Sequence, residues 1–228
     1  MVWLANLAEA SVEDRHLAGL LTPDEQLRAS RFRHPIDARR FTTGRALVRL
    51  AVASQLGCDP RNVRIAVDAA GKPWLEGAAA ALSMSISHGG DLVAVALAQG
   101  AVGVDVEKRW QAIALDDVMA LVCAPAECEA ISALPEGERE QRFLLLWTLK
   151  EALLKAAGTG LSGDPTLLVF DVETAGRPVL ADGSTHAGAG WTFMLDADVQ
   201  GHVLALALSA GAGTAPPVLR DASVLLAP

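Results

Sequence analysis

The chain has 228 residues, of which 51% are hydrophobic and 4% aromatic, and its formal net charge is −8. This negative balance argues against general nucleic-acid binding, which needs a basic surface. No apolar run approaches the roughly 20 residues of a membrane-spanning helix. The chain has an odd number of cysteines that form no C-x-x-C pair: Cys58, Cys123 and Cys128. Acidic residues follow Met1 closely, at positions where a signal peptide would be apolar. We therefore predict a cytoplasmic protein with reduced thiols.

The first half of the chain predicts a short strand, a long helix and a hairpin. The strict alternation of residues 82–87 is the clearest strand pattern, and Gly57 is a normal stop signal for the helix before it. We predict strands at 3–7, 82–87 and 92–97, a helix at about 36–56 and a turn at 88–91.

The second half repeats this order. We predict strands at 103–106, near 167–172, at 191–195 and at 202–208, and a long helix at about 138–157. The closing strands of the two halves lie roughly 110 residues apart. We therefore predict an α+β fold of two similar lobes related by pseudo-twofold symmetry, with a ligand cleft between them. The lobes are expected at 1–102 and 103–210, followed by a C-terminal tail at 211–228.

Charged residues share one face on each of two predicted elements of the second half, a strand and a long helix. Asp105 and Glu107 alternate with valines, so both carboxylates lie on one face of a strand. Glu151 and Lys155 are four residues apart and share a helix face. A solvated strand face and a surface ion pair are the ordinary alternatives. The helix is apolar nearly all round, however, and a buried carboxylate must be paired or metal-bound, which favours a site for a hard cation and a phosphate ester.

Basic residues are concentrated in one segment. Between Arg28 and Arg49 there are seven arginines and a single acid, Asp37. Because the guanidinium fork matches phosphate oxygens, the cluster favours a phosphate-bearing ligand. For any single arginine, a solvated helix face paired with acids elsewhere is an equal alternative.

Two motifs resemble the signatures of the 4′-phosphopantetheinyl transferases, of the long two-lobed type that activates surfactin synthetase and similar synthases. These are Gly103-Val-Asp-Val-Glu-Lys108 and Trp147-Thr-Leu-Lys-Glu-Ala-Leu-Leu-Lys155. Further blocks follow the family order: Arg31-Phe32 with Asp37-Ala-Arg-Arg40, Gly71-Lys72-Pro73, and Ser85-Ile-Ser87-His88-Gly89. The resemblance implies a monomeric enzyme that moves the phosphopantetheine arm of coenzyme A to a serine of an apo carrier protein and releases adenosine 3′,5′-bisphosphate.

The resemblance also implies a role for each matched residue. Asp105, Glu107 and Glu151 would hold Mg²⁺, Lys155 would contact the phosphates, and Glu151 would accept the proton of the serine. Arg40 and His88 would bind the 3′-phosphate of coenzyme A. Lys72 and Pro73 would lie against the adenine, with Ser87 beside them. Trp147 is interpreted as core, and Lys108 and Lys150 as ordinary solvated lysines.

The chain departs from the family pattern at two places. Ala70 precedes the Gly71 turn where relatives often carry an aromatic residue, and Glu25 and Gln26 stand where relatives often carry a cation. The stretch 110–134 resembles the region that receives the carrier. Two other functions stay open: a Mg²⁺-dependent nucleotide hydrolase, and a non-catalytic module that binds coenzyme A or a carrier.

Overall fold

The computed structural model describes residues 1–8, 14–69, 71–109, 115–159, 163–171, 179–180, 190–210 and 217–226. The chain divides into two compact units, Met1–Gln99 with Ala215–Pro228, and Gly100–Thr214. Each unit combines one long helix with a sheet that is mostly antiparallel. The predicted α+β class is therefore confirmed.

The first unit contributes these elements: β1 (Val2–Asn6), α1 (Asp14–Ala18), α2 (Pro23–Ser30), α3 (Pro35–Leu56), β2 (Ile65–Val67), β3 (Pro73–Leu75), β4 (Ser83–Gly89), β5 (Leu92–Ala98), β11 (Leu219–Asp221) and α7 (Ser223–Leu226). The second unit contributes these: β6 (Val102–Lys108), α4 (Leu115–Val122), α5 (Pro125–Ser132), α6 (Glu136–Ala157), β7 (Phe170–Asp171), β8 (Val179–Leu180), β9 (Trp191–Val199) and β10 (His202–Ser209).

The first unit is built on a sheet of strand order β11-β1-β5-β4. The helix α3 packs on this sheet and buries Leu47 and Val52 among Val93 and Val95 of β5. It begins at Pro35, whose fixed φ suits the first helical position. It ends before Gly57, which takes the left-handed conformation at φ 68°. Both ends of the helix agree with the sequence prediction to within a residue.

The second unit is built on a sheet of order β6-β10-β9, in which both pairings are antiparallel. The helix α6 packs on β6 and β10. Its residues Leu149 and Leu153 are fully buried in a core shared with Ala205 and Ala207. Because α6 lies on the strand that carries Asp105, residues far apart in sequence meet in this unit.

The two units repeat one topology. In each, a first strand (β1 or β6) leads to a 22-residue helix (α3 or α6), and the second strand of a later hairpin pairs with the first strand. The order of elements that the sequence predicts to repeat is thus observed in both units. The pseudo-twofold relation and the cleft between lobes stay predictions.

Three sequence predictions are corrected by the structure. His88 and Gly89 belong to β4, so the turn consists of Gly90 and Asp91. The segment near 167–172 forms a 3₁₀ helix at Pro165–Leu167 and only a two-residue strand, β7, while Val172 lies outside the described residues. The described part of the predicted tail, residues 217–226, is not separate from the first unit, because β11 pairs in parallel with β1 and Leu226 is buried in the first core. Within the described ranges, no helix is long and apolar enough to cross a membrane.

Candidate functional site

Asp105 is held inside the second unit by the alternation of β6. Val104 and Val106 are completely buried on the opposite face of the strand, and Asp105 is 3% exposed. Its Oδ1 accepts a hydrogen bond of 2.6 Å from Nζ of Lys155 on α6. The predicted meeting of the two signature motifs is therefore observed as a direct ion pair.

Gly103 allows this pair to form. A Cβ placed on Gly103 would lie 1.9 Å from the carbonyl oxygen of Ala152 and 2.5 Å from the backbone nitrogen of Ala156. The backbones of β6 and α6 are thus in direct contact at Gly103, two residues before Asp105. This close approach brings the last turn of α6 within reach of the strand's carboxylates.

Glu107 is half-buried and fixed by a tryptophan. Its Oε1 accepts a hydrogen bond of 2.8 Å from Nε1 of Trp147. Burial raises the pKa of Glu107, the charge of Asp105 raises it further, and the Trp147 hydrogen bond and Lys155 oppose the rise. Trp147 packs against the core as predicted, yet it also orients a site carboxylate, a role that sequence analysis missed.

Glu151 faces the same group of charges from α6. Burial raises its pKa, Lys155 holds it down, and the charge of Asp105 raises it. Asp105, Glu107, Glu151 and Lys155 therefore form one electrostatic cluster, here called the acidic cluster. When ionised it carries three negative charges and one positive charge.

The donor chemistry of the acidic cluster suits a hard divalent cation, since such an ion would relieve the mutual repulsion of its carboxylates. In the described part of the chain, no three His, Cys, Asp or Glu side chains are arranged to hold a metal ion by themselves. Mg²⁺ usually takes only one or two carboxylates and fills its remaining positions with waters and phosphate oxygens. The residues present fit that mode of binding, and the three-carboxylate assignment stays a prediction.

An apolar cavity of about 430 Å³ opens beside the acidic cluster. Glu107, Trp147 and Glu151 are among its lining residues, and most of the others are apolar, including Val122 and Pro165. Its size lies within the range of small-molecule pockets, in which a few polar groups orient a largely apolar contact.

Arg40 and His88, predicted to bind a phosphate, lie near one turn of the first unit. Nε of Arg40 donates to the carbonyl of Gly90 at 2.9 Å, and Nη1 donates to Oδ1 of Asp37 at 2.9 Å. His88 is exposed near the end of β4, and Ser87 beside it is buried. Arg40 thus binds the turn that follows His88 at the end of β4.

Lys72 and Pro73 lie in a second hairpin of the first unit. Gly71 has φ 88°, which favours glycine, and the backbone nitrogen of Lys72 donates to Oδ1 of Asp68 at 2.8 Å. Burial lowers the pKa of Lys72, and Asp68 opposes this. Pro73 starts β3 opposite Val67. The nucleotide-binding role of these residues stays a prediction.

Part of the arginine cluster is structural. Arg49 and Arg45 are buried, and both pair with Glu25 of α2, at 2.8 Å from Nη2 of Arg49 and 3.7 Å from Nε of Arg45. Sequence analysis noted Glu25 only as a position where relatives often carry a cation. In the structure, its carboxylate joins α2 to α3 by pairing with both arginines. Arg28, Arg31 and Arg33 are exposed.

Lys150 and two cysteines lie in the same unit as the acidic cluster. Lys150, expected to be solvated, is completely buried and pairs with Glu127, so that prediction is wrong. Burial raises the pKa of Cys123 to about 12, and Cys128 is half-buried, which agrees with cysteines that have no nucleophilic role.

Comparison with known proteins matches both halves of the chain. The model of the 4′-phosphopantetheinyl transferase superfamily matches residues 101–207, and that of the 4′-phosphopantetheinyl transferase N-terminal region matches residues 10–100. The acidic cluster lies entirely within the first of these ranges. A holo-(acyl-carrier-protein) synthase from Bacillus anthracis, solved in complex with CoA, is similar with a TM-score of 0.39 and 19% identity over 48% of this chain and 94% of that one.

Curated relatives agree with both matches. The 4′-phosphopantetheinyl transferase HetI of a Nostoc species is 32% identical over 164 residues, which are 71% of this chain and 69% of the relative. A 4′-phosphopantetheinyl transferase of Bacillus subtilis is 30% identical over 161 residues, 71% of this chain and 70% of the relative. The chain therefore belongs to the 4′-phosphopantetheinyl transferase superfamily, in its long two-unit form.

Proposed function

We propose that this protein transfers the 4′-phosphopantetheine arm of coenzyme A to a serine hydroxyl of an apo carrier protein. The observation that carries the proposal is the acidic cluster: three carboxylates around Lys155, beside a cavity, within the residues that the superfamily model matches. Such a cluster suits a reaction at a diphosphate, where positive charge and a proton acceptor are both needed.

Asp105, Glu107 and Glu151 would hold Mg²⁺, which when bound supplies positive charge against the diphosphate of coenzyme A. Lys155 would bind the same phosphates as a point charge and stabilise the negative charge that develops on the leaving group. Trp147 would keep Glu107 turned toward the site.

Glu151 would act as the general base, directly or through water. It would take the proton of the carrier serine as the serine oxygen forms a bond to the β-phosphorus of the diphosphate. The bond from that phosphorus to the bridging oxygen breaks, and adenosine 3′,5′-bisphosphate leaves with the electron pair.

The nucleotide end of coenzyme A would be bound by residues of the first unit. Arg40 has five N–H donors, so after its bonds to Gly90 and Asp37 it still has donors for the 3′-phosphate. His88 would add a second contact, and Lys72, Pro73 and Ser87 would border the adenine and its phosphates. The partly buried ammonium of Lys72 supports this, because desolvation strengthens its attraction to a phosphate.

The carrier would dock on α4. Leu121 is 69% exposed there and also lines the cavity, so an apolar contact with the carrier would lie next to Glu151. Three free cysteines, two of them at least half-buried, fit a reducing compartment. We therefore place the enzyme in the cytoplasm. We also expect it to act as a monomer, as the family resemblance implies.

Mass spectrometry of an apo carrier after incubation with the enzyme, coenzyme A and Mg²⁺ tests the proposal. We expect a gain of one phosphopantetheine arm, which disappears when a chelator is added and in the Glu151→Gln variant. Breakdown of coenzyme A without a carrier would indicate a hydrolase instead. Binding of coenzyme A with no transfer to any carrier would indicate a binding module.

A further inference from the structure

A buried ion pair involves Lys150, the residue before Glu151 of the acidic cluster. Lys150 on α6 is 0% exposed and Glu127 on α5 is 5% exposed, and the Nζ of Lys150 donates to Oε2 of Glu127. The same ammonium donates to the carbonyl of Val122 at 2.8 Å and to that of Pro165 at 3.1 Å. All three hydrogen-bond donors of the lysine are therefore used.

The carboxylate of Glu127 is equally engaged. Its Oε2 accepts from the backbone nitrogen of Ala124 at 2.8 Å, and its Oε1 accepts from that of Phe170 at 3.0 Å. The pair thus joins α6 to the end of α4, the start of α5, the 3₁₀ helix at Pro165–Leu167 and the strand β7.

Two of these attachment points are walls of the cavity. Val122 and Pro165 both line it, together with Glu151, the residue that follows Lys150. Successive side chains on a helix are turned by roughly 100°, so an anchored Lys150 fixes the direction in which Glu151 points. The pair sets the position of the walls and the rotation of the helix at once.

Stability alone does not account for this arrangement. A buried ion pair can often be replaced by well-packed apolar residues of similar volume with no loss of stability. Directional hydrogen bonds, in contrast, specify one geometry among several compact ones.

We propose that Lys150 and Glu127 are positioning residues for the transfer reaction, which hold the cavity walls at Val122 and Pro165 in register with Glu151. The proposal rests on the proposed function. Neither residue touches the substrate in this scheme; both act through Glu151 and the cavity. Misplacement of reacting groups by about 1 Å lowers rates by roughly 100-fold, so the effect should appear in the chemical step.

The test compares a double variant, Glu127→Gln with Lys150→Met, against Thr148→Val. The double variant removes both charges together, so that no buried charge is left unpaired. Thr148 is equally buried on α6 and donates only to Leu144 within its own helix, at 2.6 Å, so its variant reports a general loss inside α6. Lys150→Arg keeps the charge and its donors.

We expect the double variant to unfold cooperatively and to bind coenzyme A within about twofold of wild type, with kcat lowered roughly 10- to 100-fold. Thr148→Val should keep the wild-type kcat. The single variant Lys150→Arg should lose less of its kcat than the double variant does. A double variant with the kcat and KM values of Thr148→Val would overturn the proposal, whatever its melting temperature.

Hydrogen exchange separates a failure of this inference from a failure of the proposed function. A wild-type protein that modifies no carrier would count against the function only. The backbone amides of Cys123 and Phe170 should still exchange at least about tenfold faster in the double variant than in Thr148→Val. Exchange that is unchanged, or faster evenly along α6, would overturn the positioning role.

Discussion

Lys155 reaches Asp105 across 50 residues of sequence, and the two side chains meet at 2.6 Å between Nζ and Oδ1. The side chain of Asp105 is 5% exposed, whereas that of Lys155 is 29% exposed. The carboxylate is therefore committed to the protein interior, while the ammonium keeps access to solvent and to a ligand. This asymmetry suits a lysine that binds substrate phosphates without losing its place in the protein.

Replacing Lys155 by methionine should lower kcat/KM by roughly 100- to 1000-fold, because a preorganised positive charge at the diphosphate is lost. Lys155 also holds down the pKa of Glu151 and Glu107. Without it, Glu151 stays protonated to a higher pH, so the acidic limb of the kcat/KM profile should move upward in pH. Steady-state assays from pH 5 to 8 measure both effects. Lys155→Arg, which keeps the charge, should leave the limb in place, and a wild-type kcat/KM in Lys155→Met would exclude the assigned role.

The elements that carry the site could be predicted because their signals are local. The alternation around Asp105 and the four-residue spacing of Glu151 and Lys155 fix which side chains share a face, whatever the rest of the chain does. That the two faces meet was inferred from the pseudo-symmetry of the two halves and from the family resemblance, not from spacing. The contact that makes it possible, Gly103 against Ala152, has no local signature beyond the glycine itself.

The buried charges could not be predicted, because their partners are distant in sequence. A lysine between Leu149 and Glu151 resembles any solvated lysine until Glu127, 23 residues earlier, is placed beside it. The same holds for Glu25, whose partner Arg49 lies 24 residues later in the sequence. The three-residue strand β11 pairs with the opposite end of the chain, and a run that short has no periodicity to detect.

Neutralising Glu107 should stabilise the protein at neutral pH. Its pKa is raised in the folded state, so in the unfolded chain it ionises first, near the ordinary value of 4.5. Between that value and the raised one, the folded state binds more protons than the unfolded state, and stability falls as pH rises. Glu107→Gln removes this penalty while keeping an acceptor for Trp147. We expect its melting temperature at pH 7 to exceed that of wild type by roughly 2 °C, allowing for solvent screening, and the gain to vanish below about pH 4.5.

Differential scanning calorimetry without ligands measures this gain. The matched control is Glu140→Gln, since Glu140 is exposed on α6 and should give no gain. A Glu107→Gln variant that melts below wild type at pH 7 would contradict the proposed repulsion.

Removing the indole donor of Trp147 should release Glu107. Trp147→Phe keeps an aromatic ring in the core but deletes the 2.8 Å hydrogen bond from Nε1. Because that bond favours the ionised form, its loss should raise the pKa of Glu107 further, and Mg²⁺ should bind more weakly. We expect a rise of roughly tenfold in the Mg²⁺ concentration for half-maximal activity, as for loss of a group that orients a metal ligand.

Trp191→Phe is the control, since the buried Nε1 of Trp191 has no hydrogen-bond partner among the described residues. Equal Mg²⁺ requirements in the two variants would show that Trp147 acts only in packing.

A methyl group on Gly103 should separate β6 from α6. The added Cβ would lie 1.9 Å from the carbonyl oxygen of Ala152, a backbone atom that cannot turn aside, so strand and helix must move apart. Overpacking of this kind costs roughly 1–3 kcal/mol, and the separation would also lengthen the contact between Asp105 and Lys155. Gly103→Ala should therefore lose both stability in urea and most of its kcat/KM. Gly137→Ala is the control, because a Cβ there meets nothing within 4 Å and alanine is the better helix former. If Gly103→Ala matches Gly137→Ala in both measurements, the close contact does not hold the acidic cluster together.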